Sequence, residues 1–194
     1  TEHLIFRLSW AFRIEFELEM VKMKVKLTGL FFVFAMMSMF ASVSTAQVET
    51  FSNPNVDYTF SLPDARWKQT AVPTATSAVV RYVFVDRNDG QLEVRKLTKS
   101  KSELLSEFIR NNEESKLLPL PGYIAGKEEN FKGKLSGIVF NYEYVLSGRA
   151  MSGRFYYLEL NDTTVYVLRF TGNTSSLRSV RNQTDSIART FEVK

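Results

Sequence analysis

Two glutamates are the residues of this chain whose type and placement come closest to a catalytic pair. Glu143 and Glu159 fall on strands that the sequence predicts to be neighbours. A glycoside hydrolase needs two carboxyl groups about 5–9.5 Å apart, and facing side chains on adjacent strands meet that distance. Lys134 and Arg169 support another interpretation, because they are available to form solvent-facing ion pairs with the two glutamates. We favour the ion pairs and keep a carboxylate-dependent hydrolase of the cell envelope as an alternative.

The other common catalytic groups are missing from most of the chain. There is no cysteine, and the single histidine is His3. Residues 47–194 therefore lack the usual general base, the thiol nucleophile and the usual zinc ligands. Residues 86–90 carry the side-chain oxygens of a calcium loop but lack the glutamate that closes one, so they predict a turn. We expect no enzyme activity, no metal and no cofactor.

A secretory signal is predicted near the start of the chain. A positive region is followed by the uncharged, mostly apolar run 27–40, and residues 44–46 supply small side chains. This order is typical of a cleaved signal peptide, with the cut between Ala46 and Gln47. The alternative is an uncleaved anchor, since run 27–47 has the roughly 20 residues that span a bilayer, although its final third is small and polar. The positive region consists of Lys22, Lys24 and Lys26.

These features divide the chain into three parts. Residues 1–19 precede Met20 and Met23 and are interpreted as translated upstream sequence or a misplaced start. Residues 20–46 are the signal peptide, and residues 47–194 form a single domain large enough to bury a core. We expect a monomer exported to the bacterial periplasm or the medium, touching a membrane only through an uncleaved signal. The interspersed charges disfavour nucleic acid, which leaves an envelope protein or a small ligand as the partner.

The predicted domain is α+β, with a central, mostly antiparallel sheet of about six to seven strands flanked by two amphipathic helices. A capping-box pattern at residues 100–103 predicts the start of the first helix. An apolar stripe ending at Phe191 predicts one last helix after a sheet-breaking segment at residues 172–175. Alternating or continuous apolar patterns predict the strands, which are residues 58–62, 77–85, 91–98, 123–131, 135–146, 155–160 and 163–170.

Several of these segments resemble the PsbP-like and Mog-like superfamily. The resemblance rests on residues 58–63 with Trp67, 137–142, 154–157, 165–170 and 187–191. It covers nearly all of residues 50–194 and implies a central antiparallel sheet flanked by helices. It also implies a non-enzymatic accessory or binding role, in which the partners differ from member to member. The histidines that bind metal in the photosystem member have no counterpart in residues 47–194.

A binding surface is the remaining functional expectation. Tyrosines exceed what alternation along the strands needs for a core, and amphipathic rings suit recognition surfaces. We therefore expect an exported accessory or binding domain, with a carrier of a small apolar ligand held between sheet and helix as a further alternative. The candidate binding face consists of polar and tyrosine positions assigned to the parity opposite the main apolar stripe: Asn141, Glu143, Tyr157, Glu159 and Arg169.

Overall fold

The computed structural model describes residues 48–194, and the predicted leader, signal peptide and cleavage site at Ala46 and Gln47 lie outside them. The described chain folds around two antiparallel sheets. The strands are β1 Glu49–Ser52, β2 Tyr58–Leu62, β3 Trp67–Ala71, β4 Val80–Phe84, β5 Asp86–Thr98, β6 Ile124–Lys132, β7 Ser136–Leu146, β8 Arg149–Asn161, β9 Thr164–Asn173 and β10 Glu192–Val193. The larger sheet has seven strands in the order β3-β4-β5-β9-β8-β7-β6, and the smaller has three in the order β1-β2-β10.

The helices are short and lie in two groups. The first group is one continuous helical segment, α1 Leu105–Phe108, a π-helical turn Ile109–Glu114 and α2 Ser115–Leu117. The second group is α3 Thr174–Ser179 and α4 Arg181–Thr190, which meet at Val180. No helix within residues 48–194 has the length and apolar character needed to cross a bilayer.

The centre of the large sheet is buried on both faces because it lies between the two helical groups. Strands β8 and β9 are central, so their side chains are apolar on both sides, as in sheets covered twice. Face A, defined by Tyr156, Leu158, Tyr166 and Leu168, packs against the small sheet, α3 and α4. Face B, defined by Phe155, Tyr157, Val165 and Val167, packs against the α1–α2 segment. The predicted α+β class and antiparallel sheet are thus confirmed.

Several predicted boundaries are wrong. The first helix starts at Leu105 rather than at residue 100, where the Ser100–Glu103 pair closes a turn. The last helix is two helices, and β9 continues to Asn173 through the segment expected to break the sheet. Residues 86–90, which were expected to form a turn, belong to β5. The pairing of β5 with β4 is irregular there, because Phe84 pairs with Asp86 while the preceding Val83 pairs with Gln91.

Candidate functional site

A cavity of about 290 Å³ lies on face A where β6 departs from regular pairing with β7. Ala125 pairs with Tyr142 and Glu128 pairs with Phe140, so two residues of β6 lie opposite Asn141. This is a β-bulge, a feature that often lies beside functional sites. Glycine is needed at position 126, because a Cβ there would lie 2.6 Å from the carbonyl oxygen of Asn141. The bulge lies in the edge strand of the large sheet, and residues of the bulge and of α3 line the cavity together.

A buried arginine forms the floor of this cavity. Arg154 on β8 is 7% exposed, and its three guanidinium nitrogens each donate one hydrogen bond. Nε donates to Tyr156 Oη at 2.7 Å, Nη1 to Asn141 Oδ1 at 2.7 Å and Nη2 to Asp185 Oδ1 at 2.9 Å. Since a guanidinium has five N–H groups, two have no acceptor within residues 48–194.

The network joins three elements. The Tyr156 hydroxyl also donates to Asp185 on α4 and lies 2.8 Å from Thr184 Oγ1. Asn141 Nδ2 donates to the carbonyl of Lys127 in the bulge at 3.3 Å. The guanidinium is therefore held in one orientation by the helix, the bulge and its own strand.

Electrostatics keep Tyr156 and Arg154 each in one protonation state. Burial raises the pKa of Tyr156, and its hydrogen bond to Asp185 raises it further. Burial acts to lower the pKa of Arg154, but Tyr156 and Asp185 outweigh it and the pKa is raised. The tyrosine stays neutral and the arginine stays charged at every physiological pH, so neither is a general acid or base.

The rim of the cavity carries charges of both signs. Arg181 lies 3.5 Å from Glu129, an exposed ion pair. Arg178 on α3 and Glu143 on β7 also line the cavity, and neither has an ion-pair partner in the part of the chain that the structure describes. The Thr174 hydroxyl, in the first residue of α3, is buried and has no hydrogen-bond partner among the same residues. The walls thus offer polar groups that the fold itself leaves unused.

A larger cavity, of about 750 Å³, lies where β4 begins at Val80 while β5 continues to Thr98. Its charged side chains are already paired with one another. Lys96 binds Asp57, whose pKa is lowered because hydrogen bonds from Lys96 and Tyr166 outweigh burial. Arg81 and Arg95 both bind Glu93. This cavity therefore has fewer unused polar groups than the smaller one, despite its size.

A third cavity of about 180 Å³ lies on face B beside Arg169. The Arg169 guanidinium lies over the ring of Phe155, 4.5 Å from its centroid, and 3.6 Å from Glu113 in the π-helical turn. Glu113 is itself buried and also binds Lys116 at 2.9 Å. Arg169 is thus held by the helical segment that covers this face.

The five residues expected to form one binding face lie on opposite faces of the sheet. Asn141 pairs with Arg154 and Glu143 pairs with Ser152, so Asn141 and Glu143 belong to face A. Both line the cavity of about 290 Å³ beside the bulge of β6, which we call the bulge cavity. Tyr157, Glu159 and Arg169 belong to face B. Tyr157 is fully buried, and its ring belongs to the core rather than to a surface. The expectation of one shared face is therefore wrong. The residues chosen on β7 lie on face A, whereas those chosen on β8 and β9 lie on face B.

The same register separates the two glutamates of the hydrolase alternative. Glu143 pairs with Ser152 and Glu159 pairs with Ser136. The two glutamates are seven positions apart along the strands, about 23 Å at a rise of about 3.3 Å per residue, and they face opposite sides. Glu159 forms an ion pair with Lys99 at 3.4 Å, rather than with Arg169 or Lys134. This pair cannot flank a glycosidic bond.

The carrier alternative places a ligand between the sheet and a helix. On face B that space is filled by apolar side chains of the helical segment, which pack against Phe140, Phe155 and Val167. The side chains that fill it are Leu105, Phe108, Ile109 and Leu117.

Sequence reasoning did not single out Arg154 or Arg178 as site residues. Arg154 precedes a run of four apolar residues in β8 and is the charged position nearest the centre of that strand. A charged residue in a strand otherwise buried on both faces needs a partner, and this was the available signal. The residues of β6 and β7 that line the cavity come near Arg154 only through the pairing of β6, β7 and β8, which the sequence does not reveal. Within residues 48–194, no three His, Cys, Asp or Glu side chains are grouped closely enough to hold a metal ion.

The sequence matches no protein-family model and no curated protein sequence. Solved structures resemble it in fold. The solution structure of cyanobacterial PsbP, CyanoP, from Synechocystis matches with a TM-score of 0.51 and 15% identity, covering 79% of this chain and 96% of that one. A crystal structure of a protein from Bacteroides thetaiotaomicron matches with a TM-score of 0.54 and 10% identity, covering 76% of this chain and 49% of that one. The chain thus spans about half the length of the Bacteroides protein. The described residues have a PsbP-like fold.

Proposed function

We propose that residues 47–194 are the mature part of an exported, non-enzymatic binding domain of the bacterial cell envelope, and that its ligand site is the bulge cavity. The observation that carries the proposal is Arg154, a buried arginine fixed by Asn141, Tyr156 and Asp185 at the floor of an open cavity. Holding a charged side chain rigidly, with N–H groups unused, is the kind of preorganisation that favours ligand binding.

The chemistry of the wall supports binding rather than catalysis. Residues 47–194 contain no histidine or cysteine, and the raised pKa values of Tyr156 and Arg154 keep both side chains protonated at neutral pH. The resemblance of the fold to CyanoP is compatible with an accessory role. Export is supported by the signal pattern at residues 20–46.

The ligand site is tested by blocking the cavity. Ser152 lines it and is half-buried, so Ser152→Trp fills the space between β8 and α3. Small molecules and envelope extracts are screened for compounds that raise the melting temperature of the pure protein, since a ligand that binds the folded state stabilises it. We expect at least one compound to stabilise the wild type and not the blocked variant. Ser100→Trp, at an exposed turn, is the matched control.

Two results contradict the proposal. If no compound stabilises the wild type, or if every stabilising compound acts equally on Ser152→Trp, the cavity is not the ligand site. Turnover of a substrate by the pure protein, abolished by one substitution, rules out a non-enzymatic role. N-terminal sequencing of the protein recovered from the periplasm or medium tests export, and a start at residue 47 is the expected result.

A further inference from the structure

Resting on the proposed function, we infer that the bulge cavity binds a small zwitterion with the chemistry of a free α-amino acid. The carboxylate lies against Arg154 and Arg178, and the ammonium group lies against Glu143. The juxtaposition that carries this inference is a cation and an anion, unpaired within residues 48–194, on the walls of one cavity.

The unpaired charges distinguish this cavity from the larger one, whose charged side chains are paired with one another. Arg178 and Glu143 line the same space, yet their charged atoms lie farther apart than the 4.0 Å limit of an ion pair. The other two charged rim residues, Arg181 and Glu129, are paired with each other. A ligand with one charge of each sign would complete both unpaired groups at once.

The anionic end of the ligand has a prepared partner. Arg154 has two N–H groups unused by the fold, and its orientation is fixed before any ligand arrives. A planar guanidinium is suited to bind a carboxylate through two parallel hydrogen bonds. Arg178 adds a second cation from α3.

The cationic end of the ligand binds the Glu143 carboxylate on β7. Glu143 and Ser152 face each other across β7 and β8, and Arg154 is diagonal to Glu143 on the same face. Diagonal side chains on neighbouring strands lie about 7–8 Å apart, which leaves room for a small group between carboxylate and guanidinium. The arginine is directed instead to Asp185, so the Glu143 carboxylate remains available for an ammonium group.

The size of the cavity limits the ligand. About 290 Å³ lies just below the roughly 300–1,000 Å³ typical of pockets for drug-sized ligands. A free amino acid fits this volume. A peptide terminus would bring only one of the two charges to the site.

The test is isothermal titration calorimetry of the whole mature protein with each free amino acid in turn. For the tightest binder, the N-acetyl derivative removes the ammonium charge and the primary amide removes the carboxylate. We expect each derivative to bind about 10- to 100-fold more weakly, the range that the loss of one charged hydrogen bond produces.

Two rim variants assign the ends of the ligand. Arg178→Gln should bind the amino acid and its amide more nearly equally, and Glu143→Gln should no longer discriminate against the N-acetyl derivative. Both residues are exposed and unpaired within the described range, so folding is expected to be unaffected. Arg110→Gln and Asp162→Asn alter exposed charges outside the cavity wall and should bind like the wild type.

The inference is overturned if no amino acid binds, if both derivatives bind as tightly as the parent, or if the two control variants weaken binding as much as the rim variants. None of these results by itself contradicts the proposed function, which the screen with Ser152→Trp tests. If other compounds still stabilise the wild type and not Ser152→Trp, the cavity is a binding site for a different ligand class.

Discussion

Arg154 Nη2 on β8 lies 2.9 Å from Asp185 Oδ1 on α4, and this ion pair ties the sheet to the last helix. The arginine side chain is only 9% exposed, whereas the aspartate is 28% exposed. Breaking a buried pair by removing one partner leaves an uncompensated charge, which costs more than the pair contributes. The pair therefore stabilises the fold and also holds Arg154 in place at the floor of the cavity.

Asp185→Ala should lower the free energy of unfolding by about 2 kcal/mol, because it leaves the buried Arg154 without its carboxylate. Urea denaturation followed by fluorescence measures this, since Trp67 is the sole tryptophan of residues 47–194 and is buried. Glu129→Ala is the control: its pair with Arg181 is exposed on both sides, and such pairs contribute about 1 kcal/mol or less. Equal losses in the two variants would contradict the importance of the buried pair.

The class of the fold was predictable because the local sequence of the central strands indicates that they are buried. The run from Phe155 to Leu158 and the run from Val165 to Leu168 are apolar at every position, which predicts strands covered on both faces. The edges were not predictable in the same way. β3 has the pattern Trp-Lys-Gln-Thr-Ala, mostly exposed, and it is a strand only because β4 pairs with it.

The site was only half predictable for a related reason. The shared face of Asn141 and Glu143 was predictable, because alternation along a single strand is visible in the sequence. Placing Tyr157 and Arg169 with them required the register between β7, β8 and β9, which pairing and not local pattern determines. The bulge at Gly126 and Lys127 is likewise a product of pairing.

A second prediction concerns the pH dependence of stability. The hydrogen bond from Arg66 holds the pKa of Asp64 at about 2, below the ordinary 3.8. Asp64 also accepts from Gln183 on α4, whose side chain in turn accepts from the Trp67 indole at 2.9 Å. Because the folded pKa is lower than the unfolded one, the stabilisation is complete above about pH 4 and is lost as the pH falls towards 2.

Asp64→Asn should therefore be less stable than the wild type at pH 7, and the gap should close between about pH 4 and pH 2. Urea denaturation at a series of pH values measures the gap. A gap of constant size across this range would show that the asparagine loses stability for a reason other than the carboxylate charge.

A third prediction concerns the packing of Tyr142 over β8. An added Cβ at Gly153 would lie 2.1 Å from the Tyr142 ring, so glycine is needed for the ring to lie across the neighbouring strand. Gly153→Ala should cost about 2 kcal/mol by overpacking. In a Tyr142→Ala background the ring is gone, so the same substitution should cost much less. A double-mutant cycle by urea denaturation measures the coupling, and additive losses would contradict the contact.

The final prediction compares two adjacent tyrosines that point to opposite faces. The Tyr156 hydroxyl binds Arg154, Asp185 and Thr184, whereas the Tyr157 hydroxyl is buried with no hydrogen-bond partner anywhere in residues 48–194. A buried polar group without a partner costs about 1–3 kcal/mol. Tyr157→Phe should therefore raise the free energy of unfolding by about 1 kcal/mol.

Tyr156→Phe should lower the free energy of unfolding by about 1–3 kcal/mol, because it removes the acceptor of Arg154 Nε and the donor to Asp185. Both variants delete the same oxygen from the same ring type, so the opposite signs report only the hydrogen bonds. Urea denaturation of the three proteins at neutral pH gives the comparison. If Tyr157→Phe is destabilised as much as Tyr156→Phe, the Tyr157 hydroxyl has a partner within the core, and face B is less purely apolar than its packing against the α1–α2 segment indicates.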